Sequence, residues 1–203
     1  MMLQLQDMHA HNINLVTPTH YSLQIIAAIQ TAKKKGLKIP IVWNSNGYEK
    51  VETIERLEGL VDIYLPDFKY YDDQTAITYS SAKGYRNIAT QAIREMYRQT
   101  GNIVTHNGIA IKGTLVRILV LPGNINKADK ILQHIARHIG TELSISLMAQ
   151  YYPAYKALAY AELATGISAT DYTKAVDALE KNGFENGFVQ ELSCSDNYTP
   201  DFL

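Results

Sequence analysis

The chain has 203 residues, 46% of them hydrophobic and 19% charged, with a formal net charge of -1. That balance lacks the basic excess expected of a partner of nucleic acid or of an anionic membrane surface, and no uninterrupted apolar run is long enough to span a bilayer. One cysteine, Cys194, excludes an intramolecular disulfide framework and any metal site built from cysteine alone, so a reduced, cytoplasmic setting is the default expectation.

Residues 1–9 read as the last turns of a helix and carry no signal-peptide pattern. Short runs rich in Ile, Val and Leu follow at 12–16, 39–43, 61–65, 115–121 and 143–148, which suits buried parallel strands. Helical spacing lies between them. Residues 21–35 place Leu23, Ile25, Ile26 and Ile29 at helical intervals and stop at Gly36. Further helices are expected at 51–57, at 85–100 before Gly101, at 126–139 before Gly140, and at 170–182. Residues 102–112 read as a loop or a short hairpin turning at Asn107-Gly108. The alternation predicts an α/β fold of right-handed βαβ units around a parallel sheet or barrel, in a single domain over residues 1–203. The first strand enters halfway through such a unit. Either the sheet has an uncovered edge or residues upstream are missing, and an uncovered edge at 12–16 predicts self-association.

Ligands of parallel α/β folds bind at the carboxyl ends of the strands. Here those ends are polar: Thr17, Thr19 and His20 after the first strand; Asn44, Ser45 and Asn46 after the second; Asp67 and Lys69 after the third; Arg117 on the fourth; Gln150 after the fifth. Their convergence is the layout of a polar small-molecule site. Of the tyrosines, Tyr48 and Tyr151 are the ones expected to touch ligand. Other groups have plainer readings. His134 and His138 have the i, i+4 spacing of a metal pair but flank an apolar helix face and read as solvated. His9 and His11 lack a third ligand. Asp72-Asp73 reads as a solvated turn or a helix cap, and Lys33-Lys34-Lys35 as a helix end favoured by the dipole.

The segments NINLVTPTHY, NGYE, VDIYLPDFKYY, REMYRQTG, RILVLPG and SLMAQYYP match, in order and spacing, the radical S-adenosylmethionine (radical SAM) iron–sulfur proteins related to pyruvate formate-lyase activating enzyme, the PflX-like branch. The resemblance runs to the closing Tyr198-Thr199-Pro200-Asp201-Phe202. It implies a partial parallel (βα) barrel of the radical SAM type, truncated at the N-terminus so that the first strand and its Cys-x-x-x-Cys-x-x-Cys loop lie before Met1. In intact relatives that loop holds a [4Fe–4S] cluster, which cleaves SAM reductively to a 5′-deoxyadenosyl radical. By position, Thr17, Thr19 and His20 replace the Gly-Gly-Glu-type loop that holds the SAM amino group. Asn44-Ser45-Asn46-Gly47 resembles an Asp-Thr-Asn-Gly strand end. Asp67-Phe68-Lys69 resembles Asp-Leu-Lys, which implies Lys69 at the SAM carboxylate and Asp67 accepting from ribose, a cation or a partner. Arg117 precedes an apolar run and Pro-Gly, with Ile118 where the pattern has His. The resemblance makes SAM the cofactor and a glycyl-radical-type protein a partner. Without the cysteines, the chain alone is expected to bind no cluster and to be inactive. Two alternatives stay open: a cluster-free SAM- or nucleoside-binding module, and a lyase using Lys69 as a Schiff-base amine.

Overall fold

The computed structural model describes residues 1–192. In chain order the elements are α1 (Met2–Asp7), β1 (Ile13–Val16), a 3₁₀ turn (Pro18–Tyr21), α2 (Ser22–Lys34), β2 (Ile41–Ser45), α3 (Val51–Glu55), β3 (Ile63–Pro66), α4 (Asp73–Ser80) and α5 (Tyr85–Thr100). Then come β4 (Val104–His106), β5 (Ile109–Leu119), α6 (Ala128–His138), β6 (Ser144–Met148), α7 (Ala169–Lys181) and β7 (Gly187–Val189), with short 3₁₀ turns after β5 and β6. The expected strand–helix alternation is present. Among the described residues, no helix is long and apolar enough to cross a membrane.

These elements fall into two compact units, each discontinuous in sequence. The first comprises Met1–Asp67 and Asn87–Val116. Its strands pair in parallel in the order β1-β2-β3-β5, and β4 adds antiparallel to β5. The 102–112 segment is thus a hairpin, with Asn107 and Gly108 both at positive φ (50° and 77°) as a two-residue turn of this kind requires. Trp43, Tyr64, Ile54, Leu57, Ile29 and Met96 are fully buried. β2 is buried on both faces because it has a strand on either side and helical cover, which is why its run lacks polar alternation. Polar atoms inside this core are paired: the Tyr64 hydroxyl donates to Gln99 Oε1 at 2.6 Å, and Gln99 Nε2 donates to the Ile54 carbonyl at 2.9 Å. The hydroxyls of Thr100 and Thr114 meet at 2.8 Å.

Gly113 marks a close approach within this unit. Its φ is +128°, and a Cβ there would lie 2.4 Å from the Asn102 carbonyl oxygen and 2.5 Å from Ile103 Cα. Only glycine fits where the chain leaving α5 crosses β5.

The second unit comprises Phe68–Arg86 and the described residues from Arg117 onward. Here β6 pairs in parallel with β7, Ile145 opposite Gly187. α6 turns Ile131, Leu132 and Ile135 into the core, where Phe68, Ile118, Ile145 and Leu147 are also buried. Ser168 and Asp171 form a reciprocal capping box at the start of α7. His134 is not solvated: it is half-buried, with its ring against Phe68, Tyr71 and His138. Burial, then the charges of His138 and Arg86, lower its pKa to about 4. Asp72 is the N-cap residue of α4 and pairs with Lys127.

Replacing Gly113 with Ala forces both a backbone clash and an unfavourable φ. The expected loss is about 3 kcal/mol. It should appear as a lower denaturation midpoint with an unchanged slope in urea.

Candidate functional site

In the first unit the register places three strand ends side by side. Val16 is opposite Asn44, and Ser45 is opposite Pro66. The backbone ladder continues one residue past the strands: Thr17 N–H donates to the Asn44 carbonyl and Asp67 N–H to the Ser45 carbonyl, both at 2.9 Å. Thr17, the 44–47 segment and Asp67 therefore share one rim, as expected from sequence. Thr17 sits at φ +53°, ψ +50°. A β-branched residue in the left-handed region is strained by roughly 1–3 kcal/mol, and such strain concentrates at ligand-contacting loops. Thr17 and His20 are exposed, while Asn44 and Asp67 are half-buried. Asn46 Oδ1 accepts from the Tyr48 N–H at 3.0 Å and so shapes the turn after β2.

One residue of this rim is not among the sequence candidates. Glu49 is 2% exposed. The Trp43 indole Nε1–H donates to its two carboxyl oxygens at 2.9 and 3.2 Å. Burial raises the Glu49 pKa above the ordinary 4.5, and the neighbouring side chains of Ser45, Trp43 and Thr19 oppose that shift. The negative charge of Glu49 also helps push the buried Tyr64 phenol well above its usual range, after the effect of burial itself. Ser45, expected at the ligand, is buried, and its hydroxyl accepts from the Gly47 N–H at 3.3 Å. The sequence carries no sign of the buried Glu49; a carboxylate two residues after an Asn-Gly pair is ordinarily exposed.

Lys69, Arg117 and Gln150 belong to the second unit. Lys69 N–H donates to the Tyr85 hydroxyl at 2.8 Å, and the Phe68 N–H to the Arg117 carbonyl at 2.9 Å. Gln150 Oε1 accepts from Gln190 Nε2 at 3.0 Å, while Gln190 Oε1 accepts from the Ala149 N–H at 2.9 Å. The Tyr151 hydroxyl, expected to reach a ligand, donates to the Leu163 carbonyl at 2.7 Å, and burial raises its pKa.

The described residues do not fit an iron–sulfur cluster. They include no cysteine and no group of three His, Cys, Asp or Glu side chains placed to hold a metal ion; Cys194 and the closing 198–202 segment lie outside them. The rim of the first unit does fit a polar organic ligand, with carboxamides at Asn44 and Asn46, a hydroxyl at Thr17 and a carboxylate at Asp67.

Comparison with solved structures agrees on the architecture. A domain of pyruvate-formate lyase-activating enzyme from Bacteroides vulgatus superposes with a TM-score of 0.62 at 13% identity, covering 89% of this chain and 98% of that one. HydG, a maturase of the [FeFe]-hydrogenase, superposes with a TM-score of 0.56 at 13% identity, covering 92% of this chain and 42% of its own. The chain thus has the α/β fold of radical SAM proteins. In sequence it is 30% identical over 178 residues to an uncharacterised protein of Methanocaldococcus jannaschii, an alignment covering 85% of this chain. It spans about half the length of that relative (47%). No family model matches the chain.

The raised pKa of Glu49 sets a sign. The folded state holds this proton more tightly than the unfolded state does. The group's stabilisation is therefore present below about pH 4.5 and is lost as pH rises through the folded value. The stability of the wild type relative to Glu49→Gln should fall over that range, with each tenfold gain in proton affinity on folding worth about 1.4 kcal/mol. Denaturation midpoints of both proteins across pH 4–8 measure it; a flat difference contradicts the assignment.

Proposed function

We propose that this chain is part of a radical SAM protein of the pyruvate formate-lyase activating type, and that the aligned ends of β1, β2 and β3 hold S-adenosylmethionine. The observation that carries the reading is the register that sets Thr17, Asn44 and Asp67 on one rim, with Thr17 held in a strained conformation. In this reading Asp67 accepts from the ribose hydroxyls or the ammonium group. The Asn44 carboxamide and the Thr17 hydroxyl orient the polar edge of the ligand. The cofactor supplies the radical chemistry in intact relatives, which also need a reduced cluster. The single cysteine of this sequence does not provide three thiolates, so the chain by itself binds SAM without cleaving it. The substrate of the whole protein is then a glycyl-radical-type protein, and its reduced setting the cytoplasm.

Calorimetry with SAM in the absence of iron tests the binding step. Wild type should bind, and Asp67→Asn should bind roughly tenfold more weakly, about 1.4 kcal/mol. Silence from the wild type overturns the reading. Anaerobic reconstitution with iron and sulfide tests the rest: a stable brown [4Fe–4S] absorbance from this chain alone contradicts it.

We also propose that β1 is a self-association edge for a second copy of the chain. Among the described residues of its unit β1 pairs with β2 alone, and the alternation of the parallel ladder turns the N–H and C=O groups of Asn14 and Val16 away from β2. Val16 is 67% exposed beside them. Such an edge is a template for strand addition. Sedimentation velocity should show a concentration-dependent dimer that Val16→Lys abolishes.

A further inference from the structure

The second unit sets two imidazoles side by side. His134 and His138 lie one turn apart on α6, with ring centroids 4.3 Å apart and ring planes tilted by 36°. The helix that carries them is anchored: Ile131, Leu132 and Ile135 are fully buried. The backbone under both rings is therefore ordered before anything binds, which lowers the cost of holding the rings together. His134 is half-buried, with the rings of Phe68 and Tyr71 at 6.0 and 6.2 Å, while His138 is exposed to solvent. Burial, followed by the charges of His138 and Arg86, lowers the His134 pKa to about 4, so near neutral pH its imidazole is uncharged and keeps a nitrogen lone pair.

We propose that His134 and His138 form a two-histidine site for a zinc-class divalent ion, with water in its remaining positions. Histidines at i and i+4 share one helix face, so both can reach one ion. Metal–nitrogen distances of about 2.0–2.1 Å bring the centroids of two imidazoles on one ion to roughly 5 Å. The pair as it stands needs only a small side-chain rotation to meet that geometry. His138 is the last residue of α6, where the helix dipole favours a cation. Two charges oppose one: Arg137 on the same turn, and Arg86, whose guanidinium lies 4.6 Å from the Tyr71 ring centroid. That balance rejects hard ions such as Mg²⁺, which bind through charge and oxygen, and selects an ion that bonds to imidazole nitrogen. Neither histidine belongs to the rim assigned to SAM, so the proposal is independent of that reading.

Calorimetric titration of the full chain with Zn²⁺ tests the site. His138→Gln removes one ligand at an exposed position, so its metal-free thermal midpoint should match that of the wild type. The wild type should bind Zn²⁺, and His138→Gln should weaken that binding by roughly tenfold or more. Zn²⁺ should raise the thermal midpoint of the wild type and leave that of the variant nearly unchanged. His9 and His11 are exposed histidines of the other unit. The double variant His9→Gln/His11→Gln should therefore bind as the wild type does, and Mg²⁺ should give no response in any of the three proteins. Zinc binding undiminished in His138→Gln overturns the proposal. So does a wild type that binds no zinc, a loss confined to the His9/His11 variant, or an equal response to Mg²⁺.

Discussion

Parallel pairing is the constraint from which the candidate site follows. Parallel strands all point their carboxyl ends the same way, and the register between β1, β2 and β3 is tight enough that the backbone ladder carries on to Thr17 and Asp67. A slip of one residue in β2 would turn Trp43 out of the core and Asn44 into it. The apolar pattern therefore pins the polar rim, even though no rim residue contributes much to the core. Trp43 serves both sides of this arrangement. Its ring fills the interior of the first unit, and its N–H ends on the buried carboxyl of Glu49.

Much of the fold is legible in the sequence because its signals are local. The helix over 85–100 has a strong amphipathic stripe and a glycine immediately after it, and its limits are those the sequence predicts. The apolar runs lie within two residues of the strand ends, apart from β5. That strand begins at Ile109, well before the apolar run, because its first half pairs with the exposed β4 and has no continuous core face to announce it. α4 buries only Ala76, so no stripe marks it beyond its capping Asp72. β7 has three residues, all exposed, and exists because β6 offers an edge in the right place.

The site divides the same way. That polar residues gather after the strands can be read from the chain, because strand ends can be. What each hydroxyl does cannot. Ser45 is expected at the ligand, yet it is buried and its hydroxyl accepts from the Gly47 N–H; Tyr151 is expected there, yet it donates to a carbonyl. The Trp43–Glu49 and Tyr151–Leu163 bonds join residues that no periodicity marks as neighbours. The fold relatives supply the class of architecture; at 13% identity they cannot supply these contacts.

The two units are threaded through each other along the chain. The first needs residues 87–116 to complete its sheet, and the second begins at Phe68, before the first is finished. During synthesis, then, β1, β2 and β3 emerge as an incomplete parallel sheet and wait for some fifty further residues before β5 can close its far side. At the roughly 5–20 residues per second of translation, that is an interval of seconds in which β3 offers an unpaired edge. Neither unit can fold and then be set aside while the other is made. The nascent chain's exposure to chaperones is thus written into the order of its segments, independently of how stable the finished protein is.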